Sequence, residues 1–247
     1  MSLHLSLSGG PGFGAWISSG SPVIAEIMAG SGFDWLLIDM EHGSVGLSEV
    51  QQLLQVTAAY PAPVVVRVPA NDEVWIKRVL DLGAETIMVP MVPTAEAAAA
   101  AVAHASYPPR GHRGVGSALA RSGRWGRTTD YLATADPQVI VQIETPEGVD
   151  NAQAIAAVDG VAGVFIGPSD LAANMGLIGQ QGHPDVVAAV ERAFAGVLAA
   201  GKPVGVNAFV EASARAYVDA GASFALVGAD VSLVARSAEA LARTFHR

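Results

Sequence analysis

Two carboxylates stand in the same local pattern. Glu144, in Ile143-Glu144-Thr145-Pro146-Glu147-Gly148, and Asp170, in Gly167-Pro168-Ser169-Asp170-Leu171, each follow a short run of β-branched and apolar residues that reads as a buried strand. A carboxylate at the end of a buried strand is poorly solvated unless a cation neutralises it, so two such sites in one chain point to a shared divalent metal. Other reactive groups take comparable places. Trp16 follows a first apolar run, Asp39-Met40-Glu41-His42-Gly43 a second, Arg67 lies in a third, and Gln142 precedes Glu144 by two residues. One guanidinium, one imidazole, several carboxylates and an amide gathered on one face would polarise a carbonyl through a metal.

Gathering them requires a scaffold that brings strand ends together. Apolar runs at 13–17, 35–38, 64–68, 86–89, 139–143, 164–166, 204–206 and 224–227 give eight candidate strands. Helical patterns follow at 22–29, 48–59, 72–82, 94–105, 146–156, 185–199, 211–220 and 231–245, several opening on Ser, Thr, Asp or Asn. Gly83, Gly201 and Gly221 fit the glycine that ends a helix in a left-handed turn before the next strand. Eight strand-helix units with strands apolar throughout predict a (β/α)8 barrel over residues 1–247 as one domain. An open doubly wound sheet is disfavoured because no Gly-x-Gly-x-x-Gly turn follows the first strand. The turns after the seventh and eighth strands, Val206-Asn207-Ala208-Phe209 and Val227-Gly228-Ala229-Asp230, lack the glycine-rich form that barrels use for phosphate, so a small unphosphorylated ligand is expected.

Composition excludes several classes. With 51% hydrophobic and 15% charged residues, the chain of 247 is too apolar for disorder and long enough for a large core. A net charge of -9 argues against nucleic acid as the main partner. No uninterrupted apolar stretch approaches the roughly eighteen residues of a membrane span, and no basic-then-apolar leader opens the chain, so a soluble, cytoplasmic protein is expected. Cysteine is absent, which removes thiol catalysis and thiolate metal sites. The only lysines, Lys77 in a helix and Lys202 just before the seventh strand, are misplaced for Schiff-base attack on a bound carbonyl.

Four long motifs in one order resemble a known family. Asp34-Trp35-Leu36-Leu37-Ile38-Asp39-Met40-Glu41-His42, Tyr107-Pro108-Pro109-Arg110-Gly111, Arg113-Gly114-Val115-Gly116 and Val164-Phe165-Ile166-Gly167-Pro168-Ser169-Asp170-Leu171 are similar to signatures of the metal-dependent (class II) pyruvate aldolases typified by 4-hydroxy-2-oxoheptanedioate aldolase. The likeness covers nearly the whole chain. It implies reversible aldol cleavage of 4-hydroxy-2-oxo acids to pyruvate, or hydroxypyruvate, and an aldehyde. It also implies a final helix packed on a neighbouring subunit and a homohexamer built as a trimer of dimers.

Carried onto this sequence, the resemblance makes Glu144 and Asp170 the metal ligands, Arg67 the partner of the keto oxygen, and His42 with Asp39 the proton-handling pair. Gln142 would lie beside a metal-bound water, and Ser169 joins the substrate-binding set. Mg²⁺ or Mn²⁺ suits oxygen ligands, and relatives also accept Co²⁺. Chelation of a 2-oxo acid through its carboxylate and keto oxygens needs few protein ligands and open coordination positions. The enolate left by cleavage would be stabilised by the metal and by Arg67. Asp39 would orient the His42 ring, whose reference pKa of about 6.5 suits proton transfer. Trp16 and Phe209 read as pocket walls that shape aldehyde choice.

Blander readings exist for each. Glu144 or Asp170 alone fits a helix cap or structural ion pair, Asp39 with His42 a local hydrogen bond, and Arg67 a simple partner for Asp39 or Glu41. Glu41 reads as structural, and Glu147 as a first-turn acid at a helix start. Residues 110–127 hold five of the twelve arginines and read as a subunit contact or a solvated loop. An acyl-coenzyme A lyase of the citramalyl or malyl type would use a similar acidic pair but carries further C-terminal structure. A noncatalytic 2-oxo-acid-binding subunit would leave Asp39 and His42 without work.

Overall fold

Strands made of Val, Ile and Leu on both faces need cover on both faces, and a closed parallel barrel wrapped in helices supplies it. The structure, a computed structural model, describes residues 9–246. Its strands are β1 (Gly12–Ile17), β2 (Trp35–Asp39), β3 (Val64–Arg67), β4 (Thr86–Val89), β5 (Gln138–Ile143), β6 (Val161–Ile166), β7 (Val204–Asn207) and β8 (Phe224–Ala229). They pair in chain order, all parallel, and β8 closes on β1, giving the expected (β/α)8 barrel.

Alternation along each strand divides the core in two. Leu36, Ile38, Val66, Ile87, Val141 and Ile166 face the helices in the outer layer. Trp35, Leu37, Val65, Met88, Ile140, Phe165, Phe224 and Leu226 fill the barrel's interior. Aromatic rings on that scale need glycines opposite them: a Cβ on Gly205 would stand 2.1 Å from the Phe224 ring.

The helices are α1 (Pro22–Ala29), α2 (Leu47–Thr57), α3 (Glu73–Asp81), α4 (Ala95–Ala105), α5 (Tyr131–Thr134), α6 (Pro146–Asp150), α7 (Ala152–Ala156), α8 (Pro168–Asn174), α9 (Pro184–Ala199), α10 (Glu211–Asp219) and α11 (Asp230–Phe245). Asp72, Thr94 and Thr145 cap α3, α4 and α6 by accepting backbone N–H bonds, as their side chains are suited to do. Gly83, Gly201 and Gly221 take positive φ at the turns into β4, β7 and β8, as expected.

Two elements depart from the sequence reading. The helix expected over 146–156 breaks at Asn151, whose Nδ2 donates to the Pro93 carbonyl at 2.9 Å and ties the break to the loop after β4. After β6, Gly167-Pro168 is not a free turn: Pro168 opens α8, so Asp170 lies in a first helical turn and not on a strand end. Among the described residues no helix is long and apolar enough to cross a membrane. α11 buries only Asp230 and leaves Val231, Leu233, Val234, Leu241 and Phe245 exposed.

Gly205→Ala is expected to lower stability by about 1–3 kcal/mol through overpacking of Phe224, read as a lower urea midpoint at unchanged slope. An unshifted midpoint would reject this account of the interior.

Candidate active site

The C-terminal ends of the strands surround a cavity of about 140 Å³ lined by Trp16, His42, Arg67, Gln142, Glu144, Phe165, Gly167, Pro168, Ser169, Asp170 and Asn207. A roomier cleft lies at the other end of the barrel, against Pro63, Ala84, Thr86 and Gln138. Barrel enzymes place their chemistry at the C-terminal ends, and the charged groups here do the same.

Arg67 is the fixed cation of the cavity. It is 4% exposed; its Nε and Nη2 each donate to Asp39 at 2.9 Å, its Nη1 lies 2.9 Å from Glu41 Oε2, and its guanidinium carbon sits 4.3 Å from the Trp16 ring centroid. The register pairs Asp39 directly with Arg67 across β2 and β3, so the ion pair follows from strand alignment. The Glu41 contact is a charge pair without an aligned hydrogen bond, because Oε2 has no satisfying donor geometry. Burial raises the Glu41 carboxyl above its ordinary value, against the lowering influence of Arg67 and His42.

Glu144 is almost wholly buried. Burial first, then the charges of Glu41 and Asp170, push its carboxyl up to about 8, outweighing the Met91 amide and Arg67. Gln142 Nε2 donates to Glu144 Oε1, and the Met91 N–H donates to Oε2 at 3.1 Å. Met91 adopts a left-handed backbone at φ 53° to present that N–H. Asn174 Nδ2 donates to the carbonyls of both Glu144, at 3.1 Å, and Asp170, at 2.9 Å, stapling the end of β5 to α8.

A buried carboxylate that its own neighbours push toward neutrality invites a cation. A Cβ at Gly167 would stand 2.6 Å from Glu144 Oε1, so only glycine leaves room beside that oxygen. Gln142 Oε1 is buried without a donor. Among the described residues no group of three or more His, Asp, Glu or Cys side chains is assembled around one metal position, so an ion held by Glu144 and Asp170 would keep coordination positions open to other oxygen ligands.

Of the residues nominated from sequence, Trp16, His42, Arg67, Gln142, Glu144, Ser169 and Asp170 share the cavity, and Asp39 stands behind Arg67. Phe209 does not reach it; the ring is exposed on the rim, 52% accessible. The expected Asp39–His42 side-chain pair is not formed. Asp39 spends its oxygens on Arg67 and on the backbone N–H groups of Glu41 and His42, at 3.0 and 3.3 Å, so the imidazole is left unpinned at the mouth. Glu41, read as structural, belongs to the acidic group, since its charge acts on Glu144. Lys202 donates to the Val161 carbonyl at the opposite barrel end, as its position before β7 predicted.

Four contributors escaped the sequence reading. Asn207 ends β7 and so satisfied the same strand-end rule as Arg67; Asn174 lies one turn after Asp170. Phe165 and the Met91 amide offered no local signal.

Comparison with known proteins places this geometry in a family. The HpcH/HpaI aldolase/citrate lyase model matches residues 13–237. A Salmonella dublin protein named 4-hydroxy-2-oxo-heptane-1,7-dioate aldolase is 50% identical over 240 residues, 96% of this chain and 91% of that protein. A family protein from Burkholderia cenocepacia J2315 superposes with a TM-score of 0.93 at 41% identity, covering 99% of this chain and 98% of the other. An HpcH/HpaI aldolase from Desulfitobacterium hafniense DCB-2 gives 0.87 at 30%, covering 96% and 93%. The chain belongs to the HpcH/HpaI aldolase/citrate lyase family.

Glu144 carries a pH prediction. Its carboxyl titrates near 4.5 in the unfolded chain and near 8 in the ligand-free fold, so between these limits the folded state holds more protons and loses stability as pH rises. Urea midpoints of ligand-free protein should fall across this window, and those of Glu144→Gln should fall less. Parallel curves would reject the assignment.

Proposed function

From membership of that family, we propose that the chain is a lyase that reversibly cleaves 4-hydroxy-2-oxo acids into pyruvate or hydroxypyruvate and an aldehyde, with a divalent cation held by Glu144 and Asp170. The observation that carries this reading is the Glu144 carboxyl: buried on a cavity wall, with Asp170 beside it, and met by Arg67 too weakly to offset burial and its acidic neighbours. Glu144 and Asp170 would hold the ion, and a divalent cation there would supply Lewis-acid polarisation of a 2-oxo acid.

The chain's own groups supply the rest. Arg67 is locked by Asp39 in one orientation, and a guanidinium has more N–H donors than that carboxylate can take, so it can meet the keto oxygen as charge develops. Gln142 Oε1, lacking a donor, is suited to accept from a water or hydroxyl in the cavity. An imidazole nitrogen of His42 takes the proton of the C4 hydroxyl; the C3–C4 electron pair becomes the C2=C3 bond of the enolate, and a proton returned to C3 completes the cleavage. Phe209, on the rim, would meet the aldehyde and not the 2-oxo acid.

A homo-oligomer, which the resemblance implies, belongs to the same reading, and the apolar face of α11, with Val23 and Ile27 exposed on α1, is the surface it assigns to a second copy. Leu241→Ser combined with Phe245→Ser is expected to lower the assembly mass in sedimentation; an unchanged mass would remove α11 from the interface.

Pyruvate release from a 4-hydroxy-2-oxo acid is expected to stop with chelator and return with Mg²⁺ or Mn²⁺. Glu144→Gln and Asp170→Asn are each expected to lose roughly 10²-fold or more of turnover, and His42→Ala to slow C3 proton exchange of pyruvate by roughly 10²-fold. Full activity in chelated protein would sink the reading.

A further inference from the structure

One polar group inside the cavity has no task in this scheme. Asn207 lines the wall together with the rings of Trp16 and Phe165. The indole Nε1–H of Trp16 donates to Asn207 Oδ1 at 2.8 Å. An indole nitrogen only donates, so the carboxamide atom it meets has to be the oxygen, and the amide is fixed with its Nδ2 end turned away from Trp16. Among the described residues Nδ2 meets no acceptor within hydrogen-bond distance. Trp16 is itself held in place, since the Arg67 guanidinium lies over its ring and Phe165 meets it edge-on with centroids 6.4 Å apart. The donor end of Asn207 is therefore a fixed feature of the wall and not a free rotor.

On the reading given above, Arg67 and the two carboxylates account for the keto and carboxylate ends of the bound 2-oxo acid. C3 is then the part left to meet the wall of Trp16, Phe165 and Asn207. Against a methyl group, an amide N–H in that wall would give up its bond to water and gain nothing in exchange. A hydroxymethyl group at C3 offers the missing acceptor. Volume does not separate the two ligands, which differ by one oxygen atom, whereas a hydrogen bond left unmade does.

We propose that Asn207 is a specificity-determining residue: its Nδ2 donates to the C3 hydroxyl of hydroxypyruvate and makes that 2-oxo acid the preferred donor over pyruvate. This rests on the aldolase reading and narrows its substrate class. It also implies that the aldol product carries a hydroxyl at C3 beside the one at C4, and that an oxidation or transamination yielding a hydroxylated 2-oxo acid supplies the donor.

Exchange of C3 hydrogen for solvent deuterium, followed by proton NMR with Mg²⁺ present, tests this without an aldehyde. In each event the C3 proton leaves, its electron pair forms the C2=C3 bond, and a deuteron returns to C3. The wild type should exchange hydroxypyruvate with the higher kcat/KM, and the reverse order overturns the proposal. Asn207→Leu removes both ends of the amide, while Asn207→Asp keeps an acceptor for Trp16 Nε1 and removes the donor. The hydroxypyruvate-to-pyruvate ratio of kcat/KM should fall about tenfold in both variants. An unchanged ratio in both overturns the assignment; a fall in Asn207→Leu alone places the effect on Trp16, and one in Asn207→Asp alone on the added charge, and each overturns it. Wild-type protein that exchanges neither donor would remove the aldolase reading itself, whereas exchange of both with an unshifted ratio removes only the role of Asn207.

Discussion

The barrel mouth holds more buried negative charge than the buried Arg67 guanidinium offsets. Arg67 is gripped by Asp39 through two hydrogen bonds and lies against Glu41, and its pull on Glu144 is outweighed by burial and by the charges of Glu41 and Asp170. Charges this close in a poorly solvated site interact far more strongly than they would in water. Asp230 shows that burial alone does not create the deficit. It is fully buried, yet its oxygens accept the backbone N–H groups of Ser18, Ser19 and Val231, and it closes the loop after β1 onto α11. Glu144 receives one backbone N–H and one amide, with two carboxylates acting against it. The difference between a structural acid and a site acid is here a matter of partners, not of depth.

Holding like charges together requires a frame that does not yield. Glu144 is clamped from both sides, by Gln142 on one oxygen and by Met91 on the other, and the Met91 N–H reaches it only through a left-handed backbone that costs about 1–3 kcal/mol. Gly167 keeps the space beside the carboxylate clear, and Asn174 fixes α8 to β5 so that Asp170 cannot drift away from it. The interior aromatic layer beneath Arg67 and Trp16 gives these contacts a solid floor. Stability is therefore given up locally at the mouth and recovered in the packed barrel below it.

The barrel was legible because its signals are periodic and repeated: strands covered on both faces read as short apolar runs, and glycines mark the returns. The strand-end residues could be named for the same reason, and register brings Asp39 beside Arg67 as a pair. What escaped was tertiary. Gly167-Pro168 reads locally as a turn, but proline is equally at home in the first turn of a helix, and only packing against α9 decides for α8. Asn151 breaks a helical pattern because a distant carbonyl claims its side chain. The expectation that Asp39 orients His42 failed because adjacency in the chain says nothing of competition, and a guanidinium held across the sheet is the stronger partner.

That failure bears on how the proposed chemistry is divided. The groups beside the proposed substrate are held from several sides: Arg67 by two acids and a ring, Glu144 by two donors, and Trp16 by Asn207. The imidazole of His42, by contrast, stands exposed at the mouth without Asp39 to fix its ring. Aldol cleavage moves protons at two different atoms, off the C4 hydroxyl and onto C3, and an imidazole locked against one of them would be poorly aimed at the other. A rigid cradle for the developing charge with a single loosely held proton carrier at its edge satisfies both demands, since electrostatic stabilisation gains from preorganisation while proton transfer at two centres needs reach.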